Sequence, residues 1–291
     1  MISVQVAWAR LGDAHAGLLT LLDPVERGRH DETVAPGDRA RFLVGCALSR
    51  LLLGELLDLP PADVPLRRVC PRCGGPHGKV RLDMPDAPAP YDFSVTHSGA
   101  LVGVAVSSDG IVGLDVEDGE VPLDVDGAAR TALSGTEFAA LHALPPAERR
   151  LAFLRVWTRK EAVLKALGVG LRMPLRALEV SPPTAPPAVL AWPPPPAAPA
   201  DPHPSGLHLS GPHPPDLQLS GLHPSGLRMA DLRMADLLVD GVHPATVAMV
   251  VTAVTRVKAA TGPGARDAVN GLGEVRVVPR DGSAVLAAHR R

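Results

Sequence analysis

Residues 182 to 224 hold 15 of the chain's 32 prolines, first in SPPTAPPAVLAWPPPPAAPADP and then in a ten-residue repeat that sets His203, His213 and His223 in register. The repeat decays into LRMADLRMADL. Proline has no amide donor for a helix or a sheet ladder, so this stretch interrupts whatever fold the apolar patterns on either side of it build. It is expected to be extended and solvated, an insertion over 182–231 that a domain tolerates because loop closure grows costlier only slowly with length. The three histidines either hold a metal or are mere residues of the repeat, and the second reading is the simpler one.

Outside the insertion the chain can build a core. Its 291 residues suffice for one large domain or two of ordinary size without covalent staples. Three cysteines, two of them only three apart, argue against a secreted disulfide framework and for a reducing compartment, the cytoplasm. Lys and Arg number 29 against 31 Asp and Glu, which removes the electrostatic case for a nucleic-acid-binding protein. MISVQVAWAR lacks the basic region and cleavage site of a signal peptide, and no apolar run approaches the ~18 residues of a membrane span, so no membrane association is expected.

Arg39 to Leu57 puts Phe42, Cys46, Leu48, Leu52, Leu53 and Leu56 on one stripe of helical period, with Arg39, Arg41, Arg50 and Glu55 on the polar side. Two strand-like runs, 100–108 and 111–117, flank Asp109-Gly110, a dipeptide favoured in tight turns, and predict an antiparallel hairpin. A helix is expected from about Ala147 to Leu167, stopping at Gly168 and Gly170. HPATVAMVVTAV, 243–254, reads as a buried strand, and the tail from Lys258 suggests no role.

Asp115 and Glu117 stand two apart on a strand, so both carboxylates project from one side. The pair either marks a strand running out into solvent or gains a cation, for which oxygen ligands suit a hard ion such as Mg²⁺. Trp157, Glu161 and Lys165 follow at i, i+4 and i+8 on one helix face. Glu161 and Lys165 alone would make an ordinary helical ion pair worth about 0.3–0.5 kcal/mol. Joined to the strand acids, they offer a third carboxylate and an ammonium able to meet phosphate, the groups a metal-assisted pyrophosphate reaction requires.

VGLDVE at 112–117, WTRKEAVLKALGVGL at 157–171 and DFSVTHSG at 92–99 together resemble the Sfp-type 4′-phosphopantetheinyl transferases. The likeness covers roughly residues 20 to 180 and resumes near 236–254. It implies an α/β, or α+β, fold: a monomeric pseudo-dimer of two similar halves, each a small mostly antiparallel sheet packed with helices. The halves would be 1–104 and 105–181 with 232–256, the insertion and a tail, 257–291, standing outside them. The resemblance further implies transfer of the phosphopantetheine arm of coenzyme A to a serine of an apo acyl or peptidyl carrier protein, with Mg²⁺ and release of 3′,5′-ADP. The carriers would serve fatty-acid, polyketide or nonribosomal-peptide synthesis.

Residue by residue, the family's metal ligands fall on Asp115, Glu117 and Glu161, and its pyrophosphate-facing lysine on Lys165. Glu137 matches an acid near the metal in some members. His97 and Thr96 match phosphate contacts of coenzyme A, with Thr where Ser is usual. Arg27, Arg29 and Arg41 match basic positions for the 3′-phosphate end, with Glu26 standing where a lysine is frequent. Lys79 in HGKV matches another phosphate-facing residue, with Val80 replacing a proline. Cys70, Cys73 and His77 just before it form C-x2-C-x3-H, either three ligands of a zinc site lacking its fourth or a tight knuckle that sets Lys79. Two competing functions use the same residues: a metal-dependent phosphohydrolase, and a non-catalytic module that binds coenzyme A or a carrier.

Overall fold

The structure, a computed structural model, describes residues 2–68, 78–84, 87–170, 173–192, 231–251 and 274–290. Its class is mixed α+β, as expected. One sheet runs in the order β11 (Val275–Asp281), β1 (Ile2–Arg10), β5 (Leu101–Ser107), β4 (Asp92–Ser98), and a second in the order β6 (Ile111–Val116), β10 (His243–Val250), β9 (Leu232–Val239). Two short ribbons pair β2 (Leu66–Arg68) with β3 (Val80–Leu82) and β7 (Glu179–Val180) with β8 (Val189–Ala191). Pairing is antiparallel except between β1 and β11.

The helices are α1 (Pro24–Glu32), α2 (Pro36–Leu57), α3 (Val125–Ala132), α4 (Gly135–His142), α5 (Pro146–Leu167) and α6 (Gly282–Ala287). The stripe read from the sequence makes α2, whose Val44, Ala47, Leu48 and Leu52 pack with Val102, Val104 and Val106 of β5. Arg50, expected on its solvated side, is instead fully buried. The Arg50 guanidinium pairs with Asp23 and Glu26 and donates to the carbonyls of Pro61, Ala62 and Val64, the saturation a buried charge requires. Glu26 is thereby explained as an acid: it closes the capping box of α1 and answers Arg50. The second long helix, α5, ends at Gly168, whose left-handed φ of 69° lets its N–H reach the Leu164 and Lys165 carbonyls.

Val4 and Val6 of β1 and Ala105 of β5 meet Val112 and Leu114 of β6 and Val247 and Met249 of β10 in a shared apolar layer. Each long helix thus covers its own sheet while the sheets cover each other. β5 and β10, buried along their whole length, are the continuous apolar runs that such burial on both faces demands.

The expected hairpin does not form. β5 is already paired on one edge with β1 and on the other with β4, so β6 has no edge of it to join and pairs with β10 instead. Asp109 anchors the crossing, its carboxylate accepting from the Ser3 N–H at 2.8 Å.

β4 and β6, the facing edges of the two sheets, are joined by side chains. Asp92, Ser94, Thr96 and Ser98 of β4 accept from the backbone N–H groups of Val112, Leu114, Val116 and Asp118 at 2.8, 3.0, 3.3 and 3.0 Å. Every second residue of β4 thus satisfies a donor that an open strand edge would leave bare.

The tail, to which the sequence suggested no role, supplies β11 and α6. Leu286 of α6 joins the α2 core, and Ser283 donates its hydroxyl to Asp13 at 2.5 Å.

Candidate active site

β6 alternates strictly. Val112, Leu114 and Val116 face the other sheet, while Gly113 and Asp115 face α5. A Cβ on Gly113 would lie 2.0 Å from the Ala162 carbonyl oxygen, so only glycine lets the helix backbone come this close to the strand. That approach brings Glu161 and Lys165, one helical turn apart, over Asp115.

Lys165 Nζ stands 2.6 Å from Asp115 Oδ1 and donates to Thr96 Oγ1 at 3.0 Å. Asp115 is 4% exposed. Burial pushes its carboxyl up to about 7, opposed by Lys165 and reinforced by Glu117 and Glu161. Burial likewise raises Glu161, with Lys165 opposing and Glu117 adding to the rise. Glu117 Oε2 accepts from Ser98 Oγ at 3.0 Å. Asp115 Oδ2 and Glu161 Oε1 are buried with no hydrogen-bond partner. Unpaired buried carboxylate oxygens are costly, and an all-oxygen donor set of this kind fits a hard divalent cation.

Lys165 lines a cavity of about 570 Å³ that includes Phe93, Leu164 and Gly168. A second cavity of about 450 Å³ holds Arg41 and His97. The two share Arg68, Val80, Phe93 and Val95, so they form one cleft with cations along its length. Burial, then Lys165 and Arg41, hold the His97 imidazole below its usual range.

Residues 111–200 match the model of the 4′-phosphopantetheinyl transferase superfamily. That stretch contains VGLDVE and WTRKEAVLKALGVGL, so the resemblance these two motifs carry is borne out, while DFSVTHSG at 92–99 lies outside the match. A putative 4′-phosphopantetheinyl transferase of Synechocystis is 30% identical over 155 residues, 53% of this chain and 60% of that protein. The 4′-phosphopantetheinyl transferase HetI of Nostoc is 30% identical over 154 residues, 53% of this chain and 62% of its own. The transferase Sfp of Bacillus subtilis is 29% identical over 163 residues, 56% of this chain and 67% of its own. The alignments thus span about three fifths to two thirds of these relatives.

Set against the transferase motifs, the predicted residues fall into three groups. Asp115, Glu117, Glu161 and Lys165 share one electrostatic neighbourhood, but the three acids do not bring one ligand atom each within 4.8 Å of one another, whereas among the described residues Asp118, Glu120 and His243 do. Arg41 and His97 line the cleft, Arg41 also donating to the Gly99 carbonyl and to Asp38.

The remaining residues are turned to other partners. Thr96, 2% exposed, is taken up by Lys165, Val116 and Asp115. Lys79 lines the cleft with Lys165, and its ammonium meets Asp92, 2.5 Å away, and the Val112 carbonyl, 2.8 Å away, in the seam between the sheets. Arg27 donates to the Leu22 and Thr20 carbonyls. Arg29 acts electrostatically on Arg68. Glu137, matched to an acid near the metal, is instead a buried partner of Lys160 at 2.5 Å that also caps α4 and accepts from the Val180 N–H. Cys70, Cys73, His77 and the repeat histidines lie outside the described residues.

Sequence reasoning missed Arg68, which lines both parts of the cleft and whose charge is partly desolvated there. Its only signal was the doubled arginine of PLRRV.

Proposed function

We propose that this chain transfers the 4′-phosphopantetheine arm of coenzyme A to a serine hydroxyl of an apo acyl or peptidyl carrier protein, with Mg²⁺, releasing 3′,5′-ADP. One observation carries the reading: Asp115 Oδ2 and Glu161 Oε1 are buried and unpartnered in the field of Lys165, which itself lines a cationic cleft. The superfamily match supports it.

Asp115, Glu117 and Glu161 would hold the divalent cation, which when bound neutralises charge on the pyrophosphate and on the departing nucleotide. Lys165 presents its ammonium to the pyrophosphate from the neighbouring turn of α5. Arg41 and His97 take the 3′-phosphate end, with Arg68 and Arg29 as the nearby cations, since the Arg27 guanidinium is held by backbone carbonyls. Glu161, directly or through an oriented water, takes the proton of the carrier serine as that oxygen bonds to the β-phosphorus and the bond to 3′,5′-ADP breaks. The carrier supplies the nucleophile, so the chain needs none of its own.

The test incubates the chain with coenzyme A, Mg²⁺ and a panel of apo carriers of fatty-acid, polyketide and nonribosomal-peptide synthesis. Mass spectrometry is expected to show gain of one phosphopantetheine arm together with 3′,5′-ADP. Cleavage of coenzyme A without an acceptor, or binding without turnover on every carrier, refutes the proposal.

A further inference from the structure

Two acidic side chains, Asp115 and Glu161, feel the ammonium of Lys165. Lys165 Nζ lies 2.6 Å from Asp115 Oδ1, and Asp115, in turn, feels the charges of both Glu117 and Glu161. Thr96 completes the seat. Its hydroxyl accepts from Lys165 at 3.0 Å and from the Val116 N–H at 3.3 Å, and donates to Asp115 Oδ1 at 3.4 Å. The threonine is therefore fixed by the strand on one side and fixes the lysine on the other. The lysine side chain, 31% exposed, also lines the cleft beside Gly168 and Val169, and its flexible four-carbon stem has open space to turn into.

We infer that Lys165 is the resident counter-ion of the acidic cluster, seated by Thr96, and that a divalent cation entering the cluster displaces its ammonium from Asp115 into the cleft. The inference rests on the metal site proposed above. Two cations on one carboxylate repel strongly in a buried setting, so a metal on the free Oδ2 of Asp115 loosens the hold of Oδ1 on the ammonium. The displaced ammonium then stands on the cleft side, where the phosphates of the donor would lie. Metal entry thereby prepares the lysine for its substrate, and Thr96 is a positioning residue that acts through Lys165.

The experiment uses the full chain without coenzyme A and Mn²⁺ as probe, the free ion being counted by electron paramagnetic resonance. Lys165→Met is expected to bind Mn²⁺ about tenfold more tightly than wild type, because no ammonium has to leave. Asp115→Asn is expected to lose the site. Equal or weaker binding by Lys165→Met, with loss in Asp115→Asn, overturns the counter-ion role and leaves the metal site standing. Binding that survives in Asp115→Asn, or absent from wild type and Lys165→Met alike, overturns the metal site itself. Should Lys165→Met not fold, wild-type chain labelled with ¹³C-lysine decides: the Lys165 ε-methylene resonance is expected to shift on adding Mg²⁺, and an unmoved resonance at saturating Mg²⁺ overturns the inference.

Discussion

His97 is held below the ordinary histidine range first by burial and then by Lys165 and Arg41. A polyanion placed among those cations reverses the last two influences, so binding takes up a proton as pH falls toward the histidine's unperturbed value of about 6.5. The His97 C2–H resonance is expected to titrate at higher pH with coenzyme A than without it, and superimposed titration curves would contradict its place in the cleft. Asp115 carries the opposite sign. Its native pKa of about 7 exceeds the 3.8 of the free side chain, so between those values the native state keeps a proton that the unfolded chain has lost. The metal-free fold loses stability over that window as pH rises, and the loss should be absent from Asp115→Asn in a melting-temperature series. Asp115→Ala is expected to lower transfer by about 10²-fold or more with an unchanged circular dichroism spectrum. The strand period put Asp115 with Glu117 and the helix period put Glu161 with Lys165 on one face each, which was legible in the sequence; that the two faces meet was implied by the resemblance. Arg50 and Lys79 were not legible, because their partners Asp23 and Asp92 are chosen by tertiary packing, and no local period reports it.

At the scale of elements, the seam between β4 and β6 replaces a backbone ladder with alternate polar side chains. Ser94→Ala would leave the buried Leu114 N–H unpaired and should destabilise by about 1–3 kcal/mol, measured by urea denaturation; a change within error would mean that water takes the serine's place. Gly113→Ala is a sharper probe. Its methyl would strike the Ala162 carbonyl, so α5 has to move and carry Glu161 and Lys165 away from Asp115. Activity should fall more steeply than stability. The long elements were readable: α2 and α5 end within a residue or so of their expected bounds where glycine or a left-handed residue stops them. The hairpin was misread because Asp-Gly announces a reversal without naming which strand the chain pairs with next. The polar residues at 92, 94, 96 and 98 were in plain view as a period-two pattern, but a polar strand face ordinarily means solvent, and here it means a second sheet.

At the scale of the molecule, the insertion and the tail make opposite demands. Deleting 203–230 is expected to leave melting temperature and turnover nearly unchanged, consistent with a segment whose composition favours solvated backbone; a marked loss of either would assign it a structural or carrier-binding role. Removing 274–291 is expected to lower the melting temperature markedly, since it takes away β11 and the fully buried Leu286, a side chain whose truncation alone typically costs about 2–5 kcal/mol. The tail was illegible because β11 reads VRVVPRD, with Arg276, Pro279 and Asp281 exposed and no residue fully buried, and gains its stability from β1 rather than from an apolar run of its own. That pairing has a consequence for biosynthesis. β1 finds its outer neighbour β11 only after the long stretch between them has been translated, so a message cut short ahead of β11 would yield a protein in which β1 presents bare amides to other chains.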